Sequence, residues 1–197
     1  VLLDVFVTSD AETGPPIKNG DYLDRYFYGW RDRLTDDECR QFYYLPVLCG
    51  FEDEAEGFNK LRECDDAFLI PDDYLIWHDY LWMIGQVLRM GSLKLPDCLV
   101  AGVPIGSLLR DERRTRFSDW SGVVGLLGHR FAKRSAEAGL EVKRLVDWSE
   151  NQAVDRGLVL GFHSYHSQTQ VIAYKGYPMS EVYLPHLCPS ISELKAQ

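Results

Sequence analysis

Basic residues are scarce in this chain: 21 Lys and Arg stand against 30 Asp and Glu, for a formal net charge of −9 and a pI of about 5.0. Such a balance repels polyanions, which excludes a general nucleic-acid binder and argues against wholesale attraction to an anionic membrane. The cations do gather locally, as Arg110, Arg113, Arg114 and Arg116 and then as Arg130, Lys133 and Arg134, a pattern that reads as solvated helix faces. No apolar run approaches the roughly 20 residues that cross a bilayer. The five cysteines (Cys39, Cys49, Cys64, Cys98, Cys188) include no Cys-x-x-Cys and make an odd total. That argues against a disulfide framework or a zinc knuckle and fits a reducing cytoplasm. Neither a G-x-G-x-x-G after the first strand nor a P-loop occurs, and there is no G-x-S-x-G elbow, so dinucleotide, P-loop and α/β-hydrolase functions lack their signatures. No start methionine or signal peptide precedes Val1, and the chain is expected to be a piece of a longer protein.

What is present is the composition of a globular domain, 46% apolar and 26% charged. Short apolar runs alternate with helix-period segments, which predicts an α/β fold: a Rossmann-like, mostly parallel sheet with helices on both faces. Strands are expected at Leu2 to Thr8, Phe42 to Leu48 (broken by Pro46), Ala67 to Ile70, Val142 to Trp148 and Val171 to Tyr174, with a short one at Leu99 to Ala101. Helical stripes run through Leu23, Phe27, Trp30 and Leu34, and through Phe51, Ala55, Phe58 and Leu61. A longer helix is expected to start at Pro71-Asp72-Asp73 and to bury a seam of Tyr74, Trp77, Leu81, Ile84 and Leu88. Ile105 to Arg113 forms another helix, and Trp120, Val124, Leu127, Phe131 and Ala138 mark one that ends at Gly139 as its C-cap. Residues 1–180 make the domain, and 181–197 read as a trailing segment.

The polar cluster Asp147-Trp148-Ser149-Glu150-Asn151-Gln152 sits at a strand-to-helix switch, where open α/β sheets bind ligands. Ser149 and Gln152 have capping-box spacing, and Glu150 suits the first turn of a helix. Capping leaves Asp147 and Asn151 unexplained, while Asn151 with Asp155 and Gln152 with Arg156 are i,i+4 pairs. A well-capped helix and a ligand site both remain open on these residues. In a site, Glu150 is the acid/base, with a pKa lowered by the helix dipole as befits a base, and the amides hold a polyhydroxylated ligand. Lys175 and Gly176 follow the last strand, where a glycine lets backbone approach a ligand and a lysine meets a phosphate or carboxylate. Asp10 occupies the corresponding crest of the first strand. His163 and His166 are spaced i,i+3, but no third ligand is evident nearby, and no metal is expected.

The segments Tyr44-Leu-Pro-Val-Leu48, Phe68-Leu-Ile-Pro-Asp-Asp-Tyr74, Asp147-Trp-Ser-Glu-Asn-Gln152 with Asp155-Arg-Gly157, and Ile172-Ala-Tyr-Lys-Gly-Tyr177 occur in an order that resembles bacterial surface-carbohydrate (capsule and O-antigen) biosynthesis proteins of GT-B-like glycosyltransferase architecture. The likeness spans nearly the whole chain, and the Glu-Asn-Gln segment is its most specific part. Ser149 and Lys175 depart from the family pattern, which has an aromatic before the Glu and a Gln-Gly after the last strand. The resemblance implies the amino-terminal, acceptor-side half of a cytoplasmic enzyme, with peripheral association at the inner face of the inner membrane. It implies a catalytic Glu150, with Asp147, Asn151, Gln152, Asp155, Arg156, Lys175, Gly176 and Asp10 binding substrate. It also implies a sugar nucleotide and a saccharide acceptor as substrates, no resident cofactor, and low activity without a carboxyl-terminal domain. A non-catalytic α/β binding module and a sugar-nucleotide hydrolase or epimerase are the competing expectations.

Overall fold

The computed structural model describes residues 1–8, 17–18, 21–24, 26–27, 33–95, 97, 99–116, 118–149 and 152–174. In chain order the elements are β1 (Leu2–Thr8), β2 (Ile17–Lys18), β3 (Asp21–Tyr22), α1 (Asp36–Cys39), β4 (Tyr43–Cys49), α2 (Glu54–Arg62) and a 3-10 turn at Pro71–Asp73. There follow α3 (Trp77–Ser92), β5 (Leu99–Val100), β6 (Val103–Pro104), α4 (Gly106–Arg116), α5 (Trp120–Glu137), β7 (Arg144–Trp148), α6 (Ala153–Tyr165) and β8 (Gln170–Tyr174). Four of the strands form one all-parallel sheet in the order β4-β1-β7-β8, as the alternating pattern predicts.

Alternation along the strands divides the core in two. Leu3, Val5, Val7, Val146 and Trp148 face one way and pack with Phe27, Leu61 and Ile70. Leu2, Leu45 and Leu145 face the other way, under Phe131 and Ala132 of α5 and Leu158 and Phe162 of α6. The two helices meet at glycines. A Cβ on Gly157 would collide with the Gly125 backbone carbonyl, and one on Gly161 would lie 2.8 Å from the His129 Cα. Gly157, part of the Asp-Arg-Gly segment, is thus explained by packing. Gly139 behaves as its sequence position predicts: at φ 78°, its N–H bonds the Ala136 carbonyl and the next N–H, of Leu140, reaches back to Ser135.

Several expectations are corrected. Leu23, Asp24, Tyr26 and Phe27 are not helical; the Asp24 carboxylate accepts the Tyr26 and Phe27 N–H groups at 2.9 and 2.8 Å, as in an Asx turn. Tyr28 to Asp32, with Trp30 of the expected stripe, lie outside the described residues. Pro46 sits inside β4 without breaking it. The Tyr44 N–H bonds Ala67 on the outer side of this strand, and two residues on, the position lacking an N–H faces that same side. Ala67 to Ile70 contributes a single bridge, Phe68 to Tyr44, rather than a strand. Pro71 opens only the 3-10 turn. The long helix starts afresh at Trp77, where the Asp79 carboxylate accepts the Ile76 N–H at 3.0 Å.

The expected buried seam of that helix is largely uncovered: Trp77, Leu81, Ile84 and Leu88 are 62%, 55%, 48% and 66% exposed. The helix is held instead by its first turn. Asp79, fully buried, pairs with Arg130 at 2.6 Å and Arg134 at 2.8 Å, and the Arg130 guanidinium lies over the Trp82 ring. Burial alone would raise the Asp79 carboxyl, but hydrogen bonds from Arg134, the Ile76 N–H and Arg130 hold its pKa at about 2. The cations read as solvated helix faces therefore divide: Arg130 is buried, while Arg110, Arg114 and Arg116 are exposed.

Candidate functional site

The strand order places the topological switch point between β1 and β7, since the chain passes from β1 outward to β4 and then crosses back to β7. In open parallel sheets the crevice beyond the carboxyl ends of such a pair is the usual ligand position. Here those ends are Thr8 and Trp148. Asp10 follows the first by two residues and Glu150 the second by two. Asp10, Glu150, Asn151, Lys175 and Gly176 lie outside the described residues. Ser149 extends the β7–β8 ladder through its N–H to the Tyr174 carbonyl at 3.0 Å. Behind it, Trp148 is wedged among Tyr26, Phe27 and Tyr174, with the Tyr26 ring centroid 4.4 Å away.

Helix α6 begins three residues later than capping-box spacing predicts. Gln152, not Ser149, is the N-cap residue, and Asp155 accepts the Gln152 N–H at 2.9 Å. The reciprocal acid therefore lies one turn further on. Gln152 and Arg156 are exposed at the head of this helix. Asp147 and Asp155 are not: they are 1% and 2% exposed, beneath the helix rather than at its open end.

There they meet a residue to which sequence reasoning assigned no role. Asp4, 1% exposed, occupies the middle of β1. Strand alternation sends it to the same side as Leu2, and sends Asp147 to the same side as Leu145, toward α5 and α6. Asp155, in the first turn of α6, comes down on both. Each of the three offers a carboxylate oxygen within 4.8 Å of the others. No described basic side chain forms an ion pair with Asp4 or Asp147. Burial raises the Asp4 pKa strongly, and the charges of Asp147 and Asp155 and a hydrogen bond with Asp147 add to it. The Asp147 carboxyl is raised too, by burial and then by the Asp155 charge, with the hydrogen bond from Asp4 opposing. Three oxygen ligands so placed suit a hard cation; without one, Asp4 and Asp147 can lower their charge only by holding protons.

Of the three acids, Asp4 borders a cavity of about 460 Å³ beside β4, walled mainly by apolar side chains of β4, α2, α5 and α6. Its polar lining comes from Asp4, Glu54, Asp72 and Tyr80, and the Tyr80 hydroxyl donates to Asp72 at 2.7 Å. The histidine pair stays apart from it: His166 contacts the Ser135 hydroxyl at 2.9 Å and stacks on Phe162. A sequence signal for the acid cluster did exist, namely an aspartate interrupting each of two apolar strands, Leu-Leu-Asp-Val-Phe and Leu-Val-Asp-Trp.

Compared with family models, with curated proteins and with solved structures, the chain matches none of them.

Proposed function

We propose that this chain is the acceptor-side, Rossmann-like part of a glycosyltransferase that moves a sugar from a nucleotide donor to a growing surface polysaccharide. The observation that supports it is the switch point between β1 and β7, because the segments leaving those strands carry Asp10 and the Glu150-Asn151 pair. In this reading Glu150 takes the proton of the attacking hydroxyl, and Asn151 with exposed Gln152 orients the sugar. Arg156 and Lys175 meet anionic groups, and Gly176 lets backbone close on the ligand. Asp147 and Asp155, being buried, act from below: Asp155 fixes the start of α6 and so the direction of Gln152. A facing domain completes the cleft.

The reading also includes peripheral attachment at the inner membrane face. Among the described residues no helix is long and apolar enough to cross a membrane. The uncovered seam of α3, with Arg113 of α4 bonded to the Leu93 carbonyl at its end, supplies apolar and basic groups together.

The test is amide NMR with a panel of nucleoside diphosphate sugars. Shifts centred on Thr8, Ser149 and Gln152 are expected, with Glu150→Gln abolishing transfer in the longer protein at unchanged melting temperature. Absence of any shift, or turnover that survives Glu150→Gln, rejects the reading. Release of free sugar without acceptor identifies a hydrolase instead.

A further inference from the structure

We infer that Asp4, Asp147 and Asp155 form a binding site for one hard divalent cation, of the Mg²⁺, Mn²⁺ or Ca²⁺ class, reached through the cavity beside β4. The inference stands on this cluster alone and does not depend on glycosyl transfer.

Two observations carry it. The first is the donor set: three carboxylates from β1, β7 and the head of α6, with one oxygen from each lying within 4.8 Å of the others. Opposite ligands are about 4.2 Å apart across Mg²⁺ and about 4.6–5.2 Å apart across Ca²⁺, so such a spacing admits either with small side-chain movement. All-oxygen ligation selects this class over zinc or copper. The second observation is Asp4 itself. It is 1% exposed, no described neighbour donates to either of its carboxylate oxygens, and it nevertheless lines the cavity. A buried acceptor left in this condition costs stability unless a proton or a cation occupies it. At Asp4 the cluster opens on the cavity, which has room for the waters that would fill the ion's remaining positions.

Other features carry less. The α3 seam already belongs to the proposed attachment, and the Asp79–Arg130–Arg134 network is internally satisfied.

The experiment strips the protein with EDTA and titrates it with Mn²⁺, following free Mn²⁺ by EPR and amide broadening by NMR. One saturable site per chain is expected, with substoichiometric Mn²⁺ broadening Asp4, Asp147 and Asp155 and their strand neighbours first. Ca²⁺ or Mg²⁺ should displace it and raise the melting temperature by several degrees. Asp4→Asn and Asp147→Asn should each weaken binding tenfold or more while the exposed-site control Asp36→Asn binds normally. Broadening confined to surface carboxylates, no saturable site, or undiminished binding by the Asn variants overturns the inference. The broadening map is read on the unmodified chain, so it decides even if a variant fails to fold.

Discussion

Asp4 and Asp147 are neighbours on adjacent parallel strands, one step beyond the paired residues Leu3 and Val146, and their carboxyls meet in the interior beneath α6. Two carboxyl groups so placed cannot both ionise cheaply, and this shapes the stability of the protein as well as its chemistry.

The first prediction concerns pH in the absence of metal. Both carboxyls have folded pKa values raised above those of the unfolded chain. The native state therefore binds more protons, and stability falls as pH rises through the window from about 4 up to the raised values. Asp4→Asn removes much of this loss. Its melting temperature in EDTA at pH 8 should exceed that of the unmodified protein by a few degrees, on the order of 2 kcal/mol, with little difference at pH 4. An identical pH slope in both proteins would contradict it.

Asp79 behaves in the opposite sense. Its pKa of about 2 lies below the unfolded value, so its contribution is complete above about pH 4 and fades as pH falls toward 2. Asp79→Ala should cost about 3 kcal/mol, because buried Arg130 loses its carboxylate partner and half-buried Arg134 keeps only Glu137. Urea unfolding at pH 7 measures the loss; a change below about 0.5 kcal/mol would mean that the network is dispensable.

Gly157→Ala tests the contact between α5 and α6. Alanine is intrinsically favoured in a helix by about 1 kcal/mol. Here its methyl collides with the Gly125 carbonyl, so a net destabilisation of about 2 kcal/mol is expected. A raised melting temperature would mean that the helices separate freely.

Two substitutions distinguish a covered helix face from an open one. Leu88→Ser on the α3 seam should change stability by less than about 0.5 kcal/mol, while Phe131→Ala in the core of α5 should cost about 3–5 kcal/mol. In the attachment proposed above, Leu88→Ser should also reduce co-sedimentation with vesicles containing anionic lipid. Large destabilisation by Leu88→Ser would mean that the seam is packed.

Much of the fold was legible because it is local. The opening apolar strand, the strand–helix–strand unit ending at Tyr174 and the Gly139 cap all follow from periodicity and cap chemistry within short windows. The head of α6 lies one turn beyond the Ser149 box, since Ser149 and Asp155 both offer capping side chains and the acid accepts the Gln152 N–H. The stripe from Leu23 to Leu34 falls partly on residues outside the described ones, and at Leu23, Asp24, Tyr26 and Phe27 the chain turns around the Asp24 carboxylate instead.

By itself the sequence determined the alternation of strands and helices, the polar switch after β7 and the absence of nucleotide-loop signatures, all of which depend on residues near one another in the chain. Only tertiary structure decided that Trp77, Leu81, Ile84 and Leu88 stay uncovered and that Asp4, Asp147 and Asp155 converge in the interior. Periodicity reveals that a face is apolar, or that an acid shares a strand side with leucine. Whether another element covers that face, and which distant carboxylates it brings there, depends on contacts between residues as far apart as 4 and 155.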